Sequence, residues 1–150
     1  MKSTLSRNNT DIIELVTFFI GDAIYGMDIL KVQEINKLME ITFIPQAPEY
    51  VKGIVNLRGN IVTIIDLGKK LGLSATKVTD ECRNIIINSD NEYVGLLVEK
   101  VEDVIRTNVN NIESPPANIV GVHGKFFNGV FKTNNSLIGV LNVEEVLKLE

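Results

Sequence analysis

The chain has 150 residues, of which 45% are hydrophobic and 23% charged, a size that suits one domain or two small halves sharing a core. Its net charge is −4 and its basic residues are scattered, so nucleic-acid binding is disfavoured. The apolar runs have the length of strands, well short of the roughly 20 residues of a membrane span. A single cysteine excludes an internal disulfide. We therefore expect a cytosolic protein without direct membrane insertion.

The N-terminal part of the sequence predicts a tail followed by a hairpin. Residues 1–11 are polar, lack the apolar stretch of a signal peptide and are expected to form a flexible tail. A β-rich run at Ile12–Ile20 ends at a Gly-Asp turn, and residues 24–29 return from it, which predicts a hairpin. Residues 31–37 are ambiguous between a strand and a helical turn.

Further along, turn residues recur between short apolar runs. Residues 53–65 predict a strand, an Arg-Gly-Asn turn at residues 58–60 and a second strand, after a connection ordered by two prolines. The second half repeats this pattern, with turns expected at residues 88–91 and 133–136. Many short strands separated by turn signals at this spacing are typical of small antiparallel barrels. The sequence therefore predicts an all-β fold.

Two short helices are expected to follow strands. Asp66 and Asn142 are suitable N-cap residues for helices at residues 67–71 and 143–149. Glu145 stands three residues after Asn142, the position from which a glutamate completes a capping box.

The chain repeats itself in two blocks. An offset of 69 residues aligns residues 16–35 with residues 85–104, and an offset of 76 aligns residues 53–71 with residues 129–147. The matched positions include Gly26 and Gly95, Val32 and Val101, Glu34 and Asp103, Gly53 and Gly129, and Asp66 and Asn142. Neither half alone would bury much surface, so the halves should pack face to face with a groove at their junction.

The sequence offers little for catalysis. His123 is the one histidine, without carboxylates at metal-ligand spacing, and we expect an ordinary loop residue. Cys82 lacks a glycine-rich nucleophile turn and is expected at the edge of a strand. The glycines form no phosphate-binding loop. We therefore expect a protein that is not an enzyme and that has no cofactor and no metal site.

Arg58 is the side chain with the clearest functional chemistry. A guanidinium in a β-rich stretch can form a bidentate pair with a carboxylate of this chain or of a partner. Glu34 is a possible internal partner, and a turn arginine in water is the alternative. The equivalent positions of the second half hold Asn134 and Asp103, so the halves have diverged here, which suits a specific site in one half.

Four motifs carry a resemblance to a known family, and the resemblance runs from about Leu15 to Leu147. They are Tyr-Gly-Met-Asp-Ile-Leu-Lys-Val-Gln-Glu-Ile at residues 25–35, Gly-Ile-Val-Asn-Leu-Arg-Gly at residues 53–59, Ile-Asp-Leu at residues 65–67 and Gly-Leu-Leu-Val-Glu-Lys-Val at residues 95–101. Together they resemble the CheW family of chemotaxis coupling proteins. Thr63 stands where the family commonly has proline, and Glu99 where it commonly has aspartate.

The resemblance implies a fold that agrees with the repeat. It consists of two five-stranded SH3-like antiparallel barrels in pseudo-repeat that share a core, with short helices including one at the C-terminus. Within a CheW-like domain at residues 12–150, the first barrel would span about residues 12–80 and the second about 81–141. The C-terminal helix would span residues 142–150.

The resemblance also implies a non-enzymatic adaptor of bacterial chemotaxis. Such a protein joins the regulatory domain of the histidine kinase CheA to the cytoplasmic tip of chemoreceptors, in arrays beneath the membrane. A receptor helix would lie in the groove between the barrels. Carried over by motif, the residues expected to bind or shape that groove are Val32, Glu34, Gly53, Asn56, Leu57, Arg58 and Gly59, together with Gly95 and Val101.

Other consequences of the resemblance are less specific. Arg58 is expected to pair with Glu34 and hold the groove in shape rather than touch the receptor. The kinase should contact an exposed apolar end of a barrel, whose residues the sequence does not identify. An apolar groove that faces solvent also favours weak self-association, for example in rings.

Rival interpretations lead to different expectations. A fragment of CheA or the adaptor half of a CheV-type protein would share the fold, but each carries extra domains for which 150 residues leave no room. A small β-barrel that binds single-stranded nucleic acid is the alternative from another class. The net charge of −4 and the absence of tryptophan disfavour it.

Overall fold

The computed structural model describes residues 11–148, so most of the expected tail and the last two residues lie outside the described part. The strands are β1 (Ile12–Ile20), β2 (Ala23–Asp28), β3 (Val32–Lys37), β4 (Val51–Leu57), β5 (Asn60–Asp66), β6 (Arg83–Ser89), β7 (Glu92–Val98), β8 (Lys100–Asn108), β9 (Ile112–Glu113), β10 (Asn118–Ile119), β11 (Val122–His123), β12 (Phe127–Lys132) and β13 (Leu137–Leu141). Helix α1 is Leu67–Lys70 and helix α2 is Val143–Leu147, and 3-10 turns lie at Ile29–Lys31, Val109–Asn111 and Gly124–Phe126. The predicted all-β class is confirmed.

The strands form two principal sheets, each of which draws on both halves of the chain. Within residues 11–148, one sheet has the order β8-β1-β2-β13-β12-β9 and the other has the order β3-β6-β7-β5-β4, while β10 and β11 form a separate hairpin. Each large sheet contains one parallel pair, β2 with β13 and β5 with β7, and is otherwise antiparallel. Each sheet thus combines strands from both sides of the expected boundary near residue 80.

Short connections explain this exchange of strands. Only Glu99 separates β7 from β8, and one residue is too few for a hairpin turn. Strand β8 therefore cannot return beside β7 and instead pairs with β1 in the other sheet. The 3-10 turn Ile29–Lys31 likewise takes the chain from β2 into β3, which pairs with β6. The ambiguity over residues 31–37 is thus resolved: a 3-10 turn leads into a strand.

The register of the two sheets confirms the internal repeat. Gly26 lies opposite Val140 in the β2–β13 pair, and Gly95 lies opposite Ile64 in the β5–β7 pair. Irregularities also match: β4 and β12 each shift register just before an equivalent glycine, Gly53 or Gly129. An ideal Cβ at Gly53 would lie 2.2 Å from the carbonyl oxygen of Thr42, so no larger residue allows this close approach.

A shared core lies between the two sheets. It combines side chains of both, including the stacked rings of Phe18, Tyr25 and Phe127, whose neighbouring centroids are 6.0 and 6.1 Å apart. A smaller cluster lies on the other face of the five-stranded sheet and consists of Val55, Val62, Ile64, Cys82, Ile86 and Leu97. The larger of the two clusters thus lies between the sheets and combines residues from both halves of the chain.

The predicted caps begin both helices. The Asp66 carboxylate accepts the N–H of Lys69 at 3.2 Å, and the Asn142 side chain accepts the N–H of Glu145 at 3.1 Å. The expected capping box at Asn142 is wrong, because its N–H donates to the Phe126 carbonyl at 2.8 Å. The Glu145 carboxylate instead pairs with Lys148 at 3.1 Å.

Candidate functional site

The candidate site begins at the tight turn between β4 and β5. Leu57 and Asn60 pair across a two-residue turn made by Arg58 and Gly59, both of which have positive φ angles, 52° and 86°. Such a turn usually begins with asparagine or aspartate, because other side chains are strained in the left-handed region. The Asn56 side chain supports the turn by accepting the N–H of Gly59 at 2.8 Å.

Arg58 reaches across the five-stranded sheet to the edge strand β3. Its Nη2 donates to Oε1 of Glu34 and forms an ion pair with that carboxylate. Hydrogen bonds from Asn36 and then from Arg58 hold the pKa of Glu34 below its ordinary value. The Glu34 side chain is 26% exposed and the Arg58 side chain 67%, so the guanidinium remains open to a partner. The pairing predicted from the sequence is present.

The equivalent place in the six-stranded sheet is built differently. The turn between β12 and β13 spans residues 133–136, where the N–H of Thr133 donates to the Ser136 carbonyl at 2.8 Å. Asp103, the counterpart of Glu34, exchanges backbone hydrogen bonds with the hydroxyl of Thr17. The second half therefore has the strand framework without the Arg–Glu pair.

The predicted site residues fall into two groups. Glu34, Leu57 and Arg58 line one small depression of about 40 Å³, together with Gln33, Asn60, Ile86 and Tyr93. Asn56 and Gly59 form its adjoining turn, and Val32 lies in the same strand as Glu34.

The remaining predicted residues do not line this depression. Gly53 and Gly95 are buried, and an ideal Cβ at Gly95 would lie 2.6 Å from the Ile64 side chain. Val101 is half-buried and packs against the shared core, as Val32 does. These glycines and valines lie in the strand framework and the core.

A groove at the 3-10 turn before β3, with both apolar and charged lining residues, was not identified from the sequence. It measures about 500 Å³ and is lined by Ile12, Ile13, Glu14, Asp28, Ile29, Leu30, Arg106 and Val109. Leu30 is 88% exposed on the 3-10 turn that leads into β3. Two apolar residues, Ile29 and Leu30, stand between Asp28 and Lys31, but the sequence does not reveal which of them faces solvent.

Two further apolar side chains mark equivalent ends of the sheets. Ile61 at the start of β5 is 58% exposed, and Leu137 at the start of β13 is 42% exposed. The 76-residue offset relates these two positions. Each sheet thus presents an exposed apolar residue at the same end.

The two residues considered for catalysis have structural surroundings. His123 accepts the N–H of Lys125 at Nδ1, 2.9 Å away, and so caps a 3-10 turn. Cys82 is buried, and its thiol donates to the Lys77 carbonyl at 3.2 Å. Residues 11–148 contain no group of three or more His, Cys, Asp or Glu able to hold a metal ion. No helix within the same range is long and apolar enough to cross a membrane.

Comparison with known proteins matches this arrangement to one family. The family model for the CheW-like domain matches residues 14–150. The chemotaxis protein CheW of Helicobacter pylori is 32% identical over 142 residues, which cover 95% of this chain and 86% of the relative. The chain belongs to the CheW family. The chemotaxis protein CheW of Treponema pallidum is 34% identical over 142 residues, covering 92% of this chain and 84% of the relative.

A solved structure supports the same assignment. The crystal structure of the scaffolding protein TtCheW from Thermoanaerobacter tengcongensis superposes with a TM-score of 0.85 at 33% identity, covering 92% of this chain and 89% of that one. As a CheW-family protein, the chain is a chemotaxis coupling adaptor and not an enzyme.

Proposed function

We propose that this CheW-family protein couples chemoreceptors to the histidine kinase CheA by binding both. The observation that carries the proposal is the Arg58–Glu34 pair, which joins a surface turn to an edge strand on the motif that resembles the family. Because only the first half has this pair, the two sheets offer different surfaces to partners.

The receptor is proposed to bind beside β3. The groove at the 3-10 turn before β3 has about 500 Å³ of space and exposes Leu30, and its mixture of apolar and charged residues suits an amphipathic receptor helix. Glu34 lies four residues after Leu30, within β3, and its pair with Arg58 joins β3 to the β4–β5 turn. Arg58 would then act by shaping the groove.

The kinase regulatory domain is proposed to bind the apolar ends of the two sheets. Ile61 and Leu137 are exposed and equivalent under the repeat, so one adaptor has two similar ends. A partner of the same fold could contact each end in turn and produce alternating rings. The same ends would also support weak self-association. In this proposal the protein works in the cytoplasm and is recruited to receptor arrays at the membrane.

Calorimetric titration with a receptor-tip hairpin and, separately, with the kinase regulatory domain of the same organism tests the proposal. Arg58→Ala should weaken receptor binding about tenfold while kinase binding persists. Asn134→Ala changes the equivalent turn of the second half and is the matched control, with both affinities unchanged. Binding of neither partner by the folded wild-type protein would refute the coupling function.

The two sheet ends can be separated in the same assay. Ile61→Ser and Leu137→Ser each remove an exposed apolar side chain without opening the core, so both variants should fold. Each should weaken binding of the kinase domain, and receptor binding should stay at the wild-type level. Full kinase affinity in the double variant would show that these ends are not the kinase surface.

A further inference from the structure

A second cavity lies at the end of the six-stranded sheet, beneath an ion pair. It measures about 330 Å³ and is lined by Ile13, Asp28, Lys31, Val109, Ile112, Asn128, Val140, Leu141, Val143 and Glu144. Nζ of Lys31 lies 2.8 Å from Oε2 of Glu144, so the pair links the 3-10 turn to helix α2. The volume falls in the range of small-molecule sites, which are apolar with a few polar groups at the rim.

The equivalent place in the other sheet is filled by the chain itself. The loop before β6 passes over α1, where Thr76 donates its N–H and its hydroxyl to Asp66. An ideal Cβ on Gly68 would lie 2.8 Å from the Ser74 carbonyl oxygen, so the loop needs a glycine there. In the second half the 76-residue offset replaces Gly68 with Glu144, whose side chain excludes an identical backbone path.

Within residues 11–148, the start of β1 does not close over this cavity. In the five-stranded sheet, pairing of β6 with β3 stops at Arg83, and the chain bends away at Cys82. In the six-stranded sheet, β1 continues to pair with β8 as far as Ile12, and the Asp11 carbonyl accepts the N–H of Val109 at 2.8 Å. In the described part of the chain, β1 therefore runs past the cavity. The loop before β6 instead closes over the equivalent place in the five-stranded sheet.

We propose that this cavity binds a small amphipathic cation, with an ammonium group at Glu144 and an apolar body against Val140, Leu141 and Val143. The rim carries Asp28 and Glu144 against Lys31, a net charge of −1 by this count, which favours a cation. Lys31 and Glu144 are 48% and 67% exposed, and such surface pairs are weak, so a ligand cation can replace Lys31. The apolar floor then rejects fully hydrated cations, because it supplies no ligands for them.

Phenethylammonium is a suitable probe, with 3-phenylpropionate and 2-phenylethanol as the anionic and neutral controls of similar shape. Titrated into the ¹⁵N-labelled full chain at neutral pH, the cation should give saturable shifts at the amides of Val140 and Val143. We expect a dissociation constant on the order of 1 mM, as suits a ligand of this size. Equal binding of the carboxylate, or no saturable shift at the cavity, would overturn the proposal.

Two variants distinguish a binding role of Glu144 from a merely structural one. Glu144→Gln should weaken binding of the cation about fivefold, whereas Lys31→Gln should strengthen it because the competing cation is gone. If the ion pair served only as a structural link, both variants would change the affinity in the same direction, and that result would refute the assignment. Glu81→Gln removes a surface carboxylate paired with Lys100, neither of which lines the cavity, and should leave the affinity unchanged.

Discussion

The β4–β5 turn of the first half and the β12–β13 turn of the second half start from the same framework and end differently. Both follow a strand with a register shift at an equivalent glycine, Gly53 or Gly129. One turn then has Arg58 paired with Glu34, and the other has a four-residue turn without this pair. The difference teaches that the repeat is kept where backbones pack closely and is lost where side chains face solvent.

The two sheets also differ at one buried position that the repeat makes equivalent. Leu15 of β1 is completely buried, and the 69-residue offset replaces it with Asn84 of β6. Asn84 is equally buried, and neither its amide nitrogen nor its oxygen has a hydrogen-bond partner. Because side chains alternate along a strand, Asn84 lies on the same face as Cys82 and Ile86, in the smaller apolar cluster.

The largest expected effect is at the shared glycines. Gly53→Ala would bring a Cβ to within 2.2 Å of the Thr42 carbonyl oxygen at a φ of 149°, and Gly129→Ala to within 2.5 Å of that of Glu113. Each should cost more than about 3 kcal/mol of unfolding free energy in urea denaturation. Gly59→Ala meets nothing within 4 Å and should cost about 1 kcal/mol through its φ angle alone. A mild effect of only one of the substitutions Gly53→Ala and Gly129→Ala would show that the two glycines are not equivalent in the repeat.

The next effect concerns the buried strand positions. Leu15→Asn should lower the free energy of unfolding by about 3 kcal/mol, because it buries an amide among apolar side chains. Asn84→Leu should raise it by about 1 kcal/mol, because it removes two unpaired polar atoms. Thermal denaturation of both variants measures these two changes in the free energy of unfolding. Destabilisation by Asn84→Leu would mean that the asparagine has a partner, such as a buried water.

Exchange of aspartate and asparagine at the two N-cap positions, Asp66 and Asn142, should change stability by unequal amounts. Asp66 accepts the N–H and hydroxyl of Thr76 as well as the N–H of Lys69, so Asp66→Asn replaces an acceptor by a donor and should cost about 2 kcal/mol. Asn142→Asp keeps the cap of α2 and should change stability by less than about 0.5 kcal/mol. Chemical denaturation of both variants compares their free energies of unfolding. Equal costs would contradict the role of the loop around Thr76.

The smallest expected effect is at the Arg58–Glu34 pair. Hydrogen bonds from Asn36 and Arg58 lower the pKa of Glu34, so the pair is intact above the ordinary glutamate value of about 4.3 and is lost as the pH falls through the lower folded value. Arg58→Ala should raise that pKa in a ¹³C NMR titration and lower the urea midpoint at pH 7 only slightly, because the pair is exposed to solvent. An unchanged pKa would mean that the two side chains do not pair in solution.

Local features were the ones that the sequence predicted well. The hairpin of β1 and β2, the turn at Arg58 and Gly59, and the caps at Asp66 and Asn142 all depend on residues that are close together in the chain. The Arg58–Glu34 pair was also anticipated. The groove at Leu30 was not, because hydropathy alone does not show that Leu30 faces solvent.

The sequence by itself determined the all-β class, the internal repeat and the family, since alternation, turn residues and motifs are written along the chain. Only the tertiary structure decided which of the two equivalent strands, β3 or β8, completes each sheet. Because the halves repeat each other, β3 or β8 could complete either sheet with similar side-chain contacts. The short connections through Ile29–Lys31 and Glu99 favour the exchanged pairing, and the shared core formed between the sheets stabilises it.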